Sequence, residues 1–267
     1  MHARHKKILD MLERGRLTIK EASLELGVAE MTLRRDLKLL EKSGALLQVR
    51  GGAVLPPARY EPESSVKGEL ERKFALAEAL YKKIMPAETL FIGTGSTVLA
   101  FAKYLARHNT LPVTVITNSL PVASSLFKTH CHVILPGGEL RSNSLDLVGP
   151  VAERNMEDYH VDYLISGCDA ASSGYGFYTS DMNLSNLEKK SIRIADRTAI
   201  ITASGKFRKK ALTRFAARED VDLLVTDTEL SREDEKELLP FMEIIKADAF
   251  EQKKQPFVSK GKEREKA

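Results

Sequence analysis

The sequence predicts an α/β protein: an N-terminal winged helix-turn-helix domain followed by a larger α/β domain on a mostly parallel sheet. Three observations carry that expectation. The 267 residues exceed one ordinary domain. Residues 1–60 read as short amphipathic helices and a glycine-bearing hairpin. The remainder alternates continuous apolar strands with helical stretches, as a sheet covered on both faces requires.

Composition narrows the function. With 43% hydrophobic and 29% charged residues, and no apolar run near the roughly 20 residues that span a bilayer, a soluble globular protein is expected and a membrane protein is not. The opening "MHARHKKILDMLERG" lacks a secretory core, so the cytoplasm is the expected compartment. Cys131 and Cys168 lie far apart without CxxC spacing, so reduced thiols are expected, with no metal site and no cofactor. The net charge of +4 hides a segregation: residues 1–60 carry +5, residues 251–267 carry +3, and the middle carries −4. The positive field of the small N-terminal unit is where a nucleic acid would dock.

The first helical stripe is Ile8, Leu9 and Leu12, ended by Gly15; "LTIKEASLELG" forms a second helix closed by Gly27. In the third, Leu33, Leu37 and Leu40 recur at i, i+4, i+7 and face inward. Met31, Arg35, Lys38 and Lys42 then face outward, with Arg34 beside them. Ser43-Gly44 stops this helix, and "ALLQV" with "RGGA" predicts a two-stranded wing whose Arg50 and glycines approach a phosphate backbone. A solvated helix face is the competing reading of these charges. The coincidence of helix spacing, wing and regional charge favours duplex DNA. Asp36, between the two faces, is expected to orient Arg35 or Arg34.

"LPPARYEPESS" cannot continue a helix and suits an exposed connection. The expected organisation is a DNA-binding domain over 1–58, a linker over 59–68, an α/β domain over 69–250, and a basic tail over 251–267. "KGELERKFALAEALYKKIM" forms a helix with Glu69 and Lys73 at i, i+4. Six strands follow: "TLFI", "VTVIT", "HVILP", "DYLIS", "TAIIT" and "DLLVT".

The first strand runs into "GTGST", Gly93, Thr94, Gly95, Ser96 and Thr97, and then a helix, so amides, hydroxyls and a helix N-terminus converge as a phosphate requires. No lysine follows, as in a Walker loop, and Val98 replaces the third glycine of a dinucleotide fingerprint. A structural glycine turn is the alternative. Further polar clusters follow other strands: Asn118 and Ser119; Gly137, Gly138 and Arg141; Asp169 and Asp181; Lys206. Ligands of open α/β sheets gather at the carboxyl ends of strands, so these segments would line one pocket for a polar, anionic small molecule. Arg141 and Lys206 would offer charge, and Asn118, Asp169 and Asp181 hydroxyl recognition. Glu188 and Lys189 read as decoration of a helix.

"LTIKEASLELGV", "TLRRDLKLLEKSGAL" and "RGGA" resemble the DNA-binding domain of the DeoR family of bacterial regulators. That resemblance implies that the helix carrying Glu30, Met31, Thr32, Arg34, Arg35, Lys38 and Lys42 enters a major groove, while Arg50 and Gly51 ride the backbone. Ala29 stands where the family usually has serine. "GTGST", "TNS", "PGGELR", "GFYTSDM" and "GKF" resemble the family's sensor domain, itself similar to ribose-5-phosphate isomerase. Gly93 and Ala203 stand where many family sensors carry aspartate. The resemblance implies a repressor released from a double-stranded operator by a phosphorylated sugar, acting as a homodimer or homotetramer. A sugar-phosphate isomerase with an accessory DNA-binding domain is the alternative, with Asp169 its one candidate base. A third reading has the α/β domain only oligomerise.

Overall fold

The computed structural model describes residues 3–13, 17–42, 46–49, 51–54 and 67–247. The chain divides into two compact units, Met1–Tyr60 and Glu61–Ala267. Gly15, Ser43-Gly44, Arg50, the side chain of Lys42, residues 59–66 of the expected linker and the 251–267 tail lie outside the described residues.

In the first unit, α1 (Ala3–Glu13), β1 (Leu17–Thr18), α2 (Ile19–Leu26) and α3 (Glu30–Lys42) precede β2 (Leu47–Val49) and β3 (Gly52–Val54). Helix α2 begins where Thr18 Oγ1 accepts the Glu21 N–H at 3.3 Å and donates to Glu21 Oε2 at 2.5 Å. It ends at Gly27, whose φ of 64° suits a residue without a β-carbon. Ile8, Leu12, Ile19, Ala22, Leu33, Leu37, Leu40 and Leu46 form one buried core, so the leucine stripe of α3 faces inward as its spacing predicts. The wing is not the expected two-stranded hairpin. Its sheet has three strands in the order β1-β3-β2, because Leu17 and Thr18 pair with Ala53 and Gly52.

The second unit opens with α4 (Lys67–Ile84), where Lys73 meets Glu69 at 2.7 Å. Then come β4 (Thr89–Ile92), α5 (Ser96–His108), β5 (Val113–Ile116), α6 (Leu120–Leu126), β6 (Cys131–Ile134), β7 (Glu139–Arg141) and β8 (Asp146–Val148). After α7 (Pro150–Met156) follow β9 (Val161–Ser166), β10 (Ala170–Ser172), β11 (Gly176–Thr179), α8 (Met182–Arg193) and β12 (Ala195–Ile201). A 3-10 turn over Ser204–Arg208, β13 (Thr213–Ala216), β14 (Leu223–Asp227), α9 (Arg232–Leu238) and β15 (Glu243–Ala247) complete it.

Seven strands form one parallel sheet in the order β15-β14-β12-β9-β4-β5-β6. The six expected strands are all in it, and β15 adds a seventh. Alternate residues of β4 serve opposite faces: Phe91 packs with Ala152 and Met156 of α7 and Leu184 and Leu187 of α8, while Leu90 and Ile92 are buried on the other side. This double coverage explains the uninterrupted apolar runs. The chain leaves β4 toward β5 on one side, and the strands on its other side come later in sequence. The loops after β4 and β9 therefore flank a topological switch point. Two smaller sheets, β7-β8 and β10-β11-β13, occupy stretches that read as polar loops.

Candidate functional site: a cationic helix and a strand-end crevice

The outward face of α3 is built by what its inward face buries. With Leu33, Leu37 and Leu40 in the core, Glu30, Met31, Thr32, Arg34, Arg35 and Lys38 are exposed, Met31 to 78%. Glu30 lies 3.9 Å from Arg34, one turn along. Gly51, exposed at φ 83°, turns the wing, and its carbonyl accepts the Ile19 N–H at 3.0 Å. The wing is tied to α3 through Glu41, whose carboxylate accepts the Gln48 backbone N–H at 2.9 Å and its side-chain amide at 2.7 Å.

Asp36 departs from its expected role. It is buried and orients neither Arg34 nor Arg35; it accepts from Arg4 Nε at 2.6 Å and Nη2 at 3.2 Å, with His5 Nε2 at 3.3 Å. The hydrogen bond from Arg4 holds its carboxyl below the usual range, with His5 adding to it and burial opposing. Asp36 thus pins α1 to α3 and leaves Arg35 turned to solvent.

In the second unit the expected cluster residues follow the carboxyl ends of β4, β5, β6, β9 and β12, along one rim. At the switch point Gly93 N–H donates to Ile165 O at 2.9 Å, and a β-carbon on Gly93 would stand 3.3 Å from that oxygen and 3.6 Å from Ser166 Oγ. Gly95 starts α5 at φ 118° with no side-chain cap, so the first-turn amides of Ser96, Thr97 and Val98 keep their outward direction. Thr94 Oγ1 is buried with no partner among the described residues. These are the features of an anion cradle.

Other expected contacts are committed within the fold. Asn118 is buried and its amide donates to Leu147 O at 3.2 Å; Ser119 Oγ accepts the Val122 N–H and caps α6. Gly138, at φ 117°, is required by packing, since a β-carbon there would fall 2.6 Å from Val148 O; Gly137 has φ 79°. Arg141 holds Asp146 in a two-point pair at 2.5 and 2.8 Å and also Asp181 at 2.9 Å. Its charge is shared by two carboxylates rather than standing open as expected. Asp181 caps α8 through the Leu184 N–H at 2.8 Å. Burial raises the Asp181 carboxyl, but that bond and Arg141 outweigh it and hold it low. Asp169 is exposed and accepts the Ser180 N–H at 2.8 Å and the Thr179 hydroxyl at 3.3 Å. Lys206 bears electrostatically on the neighbouring Cys168, whose thiol burial pushes up to about 12.

Glu188, whose charge predicts a place on a helix surface, is buried. Its Oε1 accepts from Ser166 Oγ at 2.7 Å, its Oε2 has no partner among the described residues, and burial pushes the carboxyl up to about 8. The signal was present, because Leu184, Leu187, Glu188 and Ser191 recur at i, i+3, i+4, i+7 and form the inward stripe of α8.

Among the described residues no His/Cys/Asp/Glu group is placed to hold a metal, and no helix is long and apolar enough to cross a membrane. Residues 4–58 match the family model of the DeoR-like helix-turn-helix domain, and residues 69–228 that of the DeoR C terminal sensor domain. The HTH-type transcriptional repressor CsqR of Escherichia coli (strain K12) is 33% identical over 231 residues, 84% of this chain and 87% of CsqR. The uncharacterized HTH-type transcriptional regulator YulB of Bacillus subtilis (strain 168) is 31% identical over 233 residues, 85% of this chain and 89% of YulB. Ribose 5-phosphate isomerase A of Methanocaldococcus jannaschii aligns with a TM-score of 0.38 and 17% identity, over 53% of this chain and 55% of that one. With both halves of the architecture matched in order, the chain belongs to the DeoR family of DNA-binding transcriptional regulators.

Proposed function

We propose that the protein is a repressor of a carbohydrate catabolic operon, which α3 and the wing hold on a double-stranded operator and a phosphorylated sugar releases. The reading is carried by α3, which buries its leucines and presents Met31, Thr32, Arg34, Arg35 and Lys38 together. Guanidinium groups suit guanine edges and phosphates, an ammonium suits phosphate, and an exposed Met suits a thymine methyl. The polar face without Asp36 is free of the one carboxylate that would repel a duplex at its middle. The effector phosphate belongs on Gly93–Thr97, where uncapped amides and hydroxyls meet the positive end of α5. That Asp169 and Lys206 follow the neighbouring strands β9 and β12 supports a role for both along its carbon chain. We further propose residues 1–58 and 69–250 as the two working domains, acting in the cytoplasm as a homodimer or homotetramer.

The test is binding of the full chain to labelled DNA from upstream of its own gene against a scrambled duplex. Wild type is expected to prefer the native fragment. Arg35→Ala is expected to lose about 1–3 kcal/mol of that preference with folding intact. Equal binding of the two duplexes by wild type refutes the reading. No turnover is proposed, and sustained conversion of ribose 5-phosphate, abolished by Asp169→Ala, would overturn that part.

A further inference from the structure

We propose that Glu188 is a specificity-determining contact of the sensor crevice, its carboxyl donating a hydrogen bond to a hydroxyl or carbonyl oxygen of a phosphorylated polyol or sugar. This rests on Gly93–Thr97 as the seat of the phosphate.

Buried polar groups are nearly always paired, and each exception needs a cause. Of the three exceptions among the described residues, Thr94, Glu188 and Thr226, the first two flank the switch point. Thr94 Oγ1 lies on the loop after β4; Glu188 Oε2 lies on α8, beside the Ser166 hydroxyl that ends β9. Glu188 is 5% exposed, so little of its carboxyl is open to bulk solvent. The Gly93 backbone passes so near Ser166 that a β-carbon would stand 3.6 Å from its hydroxyl, so the Ser166–Glu188 pair lies against the start of the Gly93–Thr97 loop.

The surrounding charge defines what fits. Asp169 after β9, Asp146 on β8 and the Cys168 thiol bear on Glu188, as does the cation Arg141 of β7, already bonded to Asp146 and Asp181. With Asp146 and Asp169 bearing on this point, an uncharged group of the ligand fits it better than a second phosphate or a carboxylate. With Oε1 accepting from Ser166, a neutral carboxyl has its O–H to give, and an uncharged oxygen is the matching acceptor. Carboxyl burial favours that neutral form up to about pH 8.

The test uses the full chain and calorimetric titration with inorganic phosphate, glycerol 3-phosphate, ribose 5-phosphate and fructose 6-phosphate. Inorganic phosphate is expected to bind wild type, Glu188→Ala and Glu188→Gln alike. The tightest organic phosphate is expected to bind Glu188→Ala about tenfold more weakly, while Glu188→Gln, which keeps a donor, retains most of the affinity. Between about pH 7 and about pH 9 the wild type should lose affinity for it relative to Glu188→Gln. Equal affinity of wild type and Glu188→Ala, or the same pH profile in wild type and Glu188→Gln, overturns the proposal while leaving the phosphate seat intact. If neither inorganic phosphate nor any organic phosphate binds wild type, the seat itself is wrong and the proposal falls with it.

Discussion

Asp36 and Arg35 are neighbours in sequence with opposite tasks, one locked inside by Arg4 and His5 and the other facing solvent. Because its folded carboxyl is held low, Asp36 contributes stability above the ordinary carboxylate range, and that contribution is lost as pH falls through the folded value. Asp36→Asn is therefore expected to lower the melting temperature at neutral pH, with the gap from wild type closing in acid. A gap that persists unchanged in acid would assign the loss to packing instead. Glu188 has the opposite sign. Its raised carboxyl gives full stability below the ordinary range, and that stability declines as pH rises toward about 8. Glu188→Gln should melt with wild type in acid and several degrees above it in mild alkali, as scanning calorimetry across pH would report.

At the scale of elements, the wing shows what sequence pattern can and cannot deliver. The pairing of Leu47–Val49 with Gly52–Val54 was legible from its apolar ladder and double glycine. The third strand was not, since Leu17–Thr18 is too short for any periodicity and pairs with a partner more than thirty residues away. Gly52 belongs to that unseen contact: a β-carbon there would stand 1.9 Å from Leu17 O. Gly52→Ala is thus expected to cost about 3 kcal/mol or more, read as a fall in urea midpoint of the N-terminal unit, whereas Gly51→Ala meets open space and strains only its φ of 83°. Equal losses at the two glycines would contradict the observed register. The parallel sheet was legible for a related reason, because strands covered on both faces need long apolar runs. The strands β7, β8, β10, β11 and β13 serve the rim and carry polar residues, so they read as loops. The strand-loop-helix setting of Gly93–Thr97 was legible in its glycines and hydroxyls. Glu188 was hidden because a glutamate is rarely buried without a charged partner, although its place in the α8 stripe points inward.

At the scale of the whole molecule, the segregation of +5 on residues 1–60 from −4 on the middle of the chain assigns DNA attraction to the first unit and neutral or repulsive behaviour to the second. Operator affinity should then fall steeply with salt, each phosphate contact adding about 0.9 to the negative slope of log affinity on log salt. Lys38→Ala is expected to weaken binding to native and scrambled duplexes alike and to reduce that slope by about one contact. The response to sugar phosphate demands a stricter relation. If the effector loosens the operator by shifting one equilibrium, the operator must loosen the effector by the same factor, because coupling between two ligands is a single free energy. Titrating the organic phosphate with and without saturating operator, and the operator with and without saturating organic phosphate, should therefore give equal ratios of dissociation constants. A variant of the cradle such as Thr97→Val should weaken the organic phosphate while leaving operator affinity in its absence unchanged. Unequal ratios would mean that the two sites do not bias a common pair of states, and release would then need a cause other than the binding of this effector.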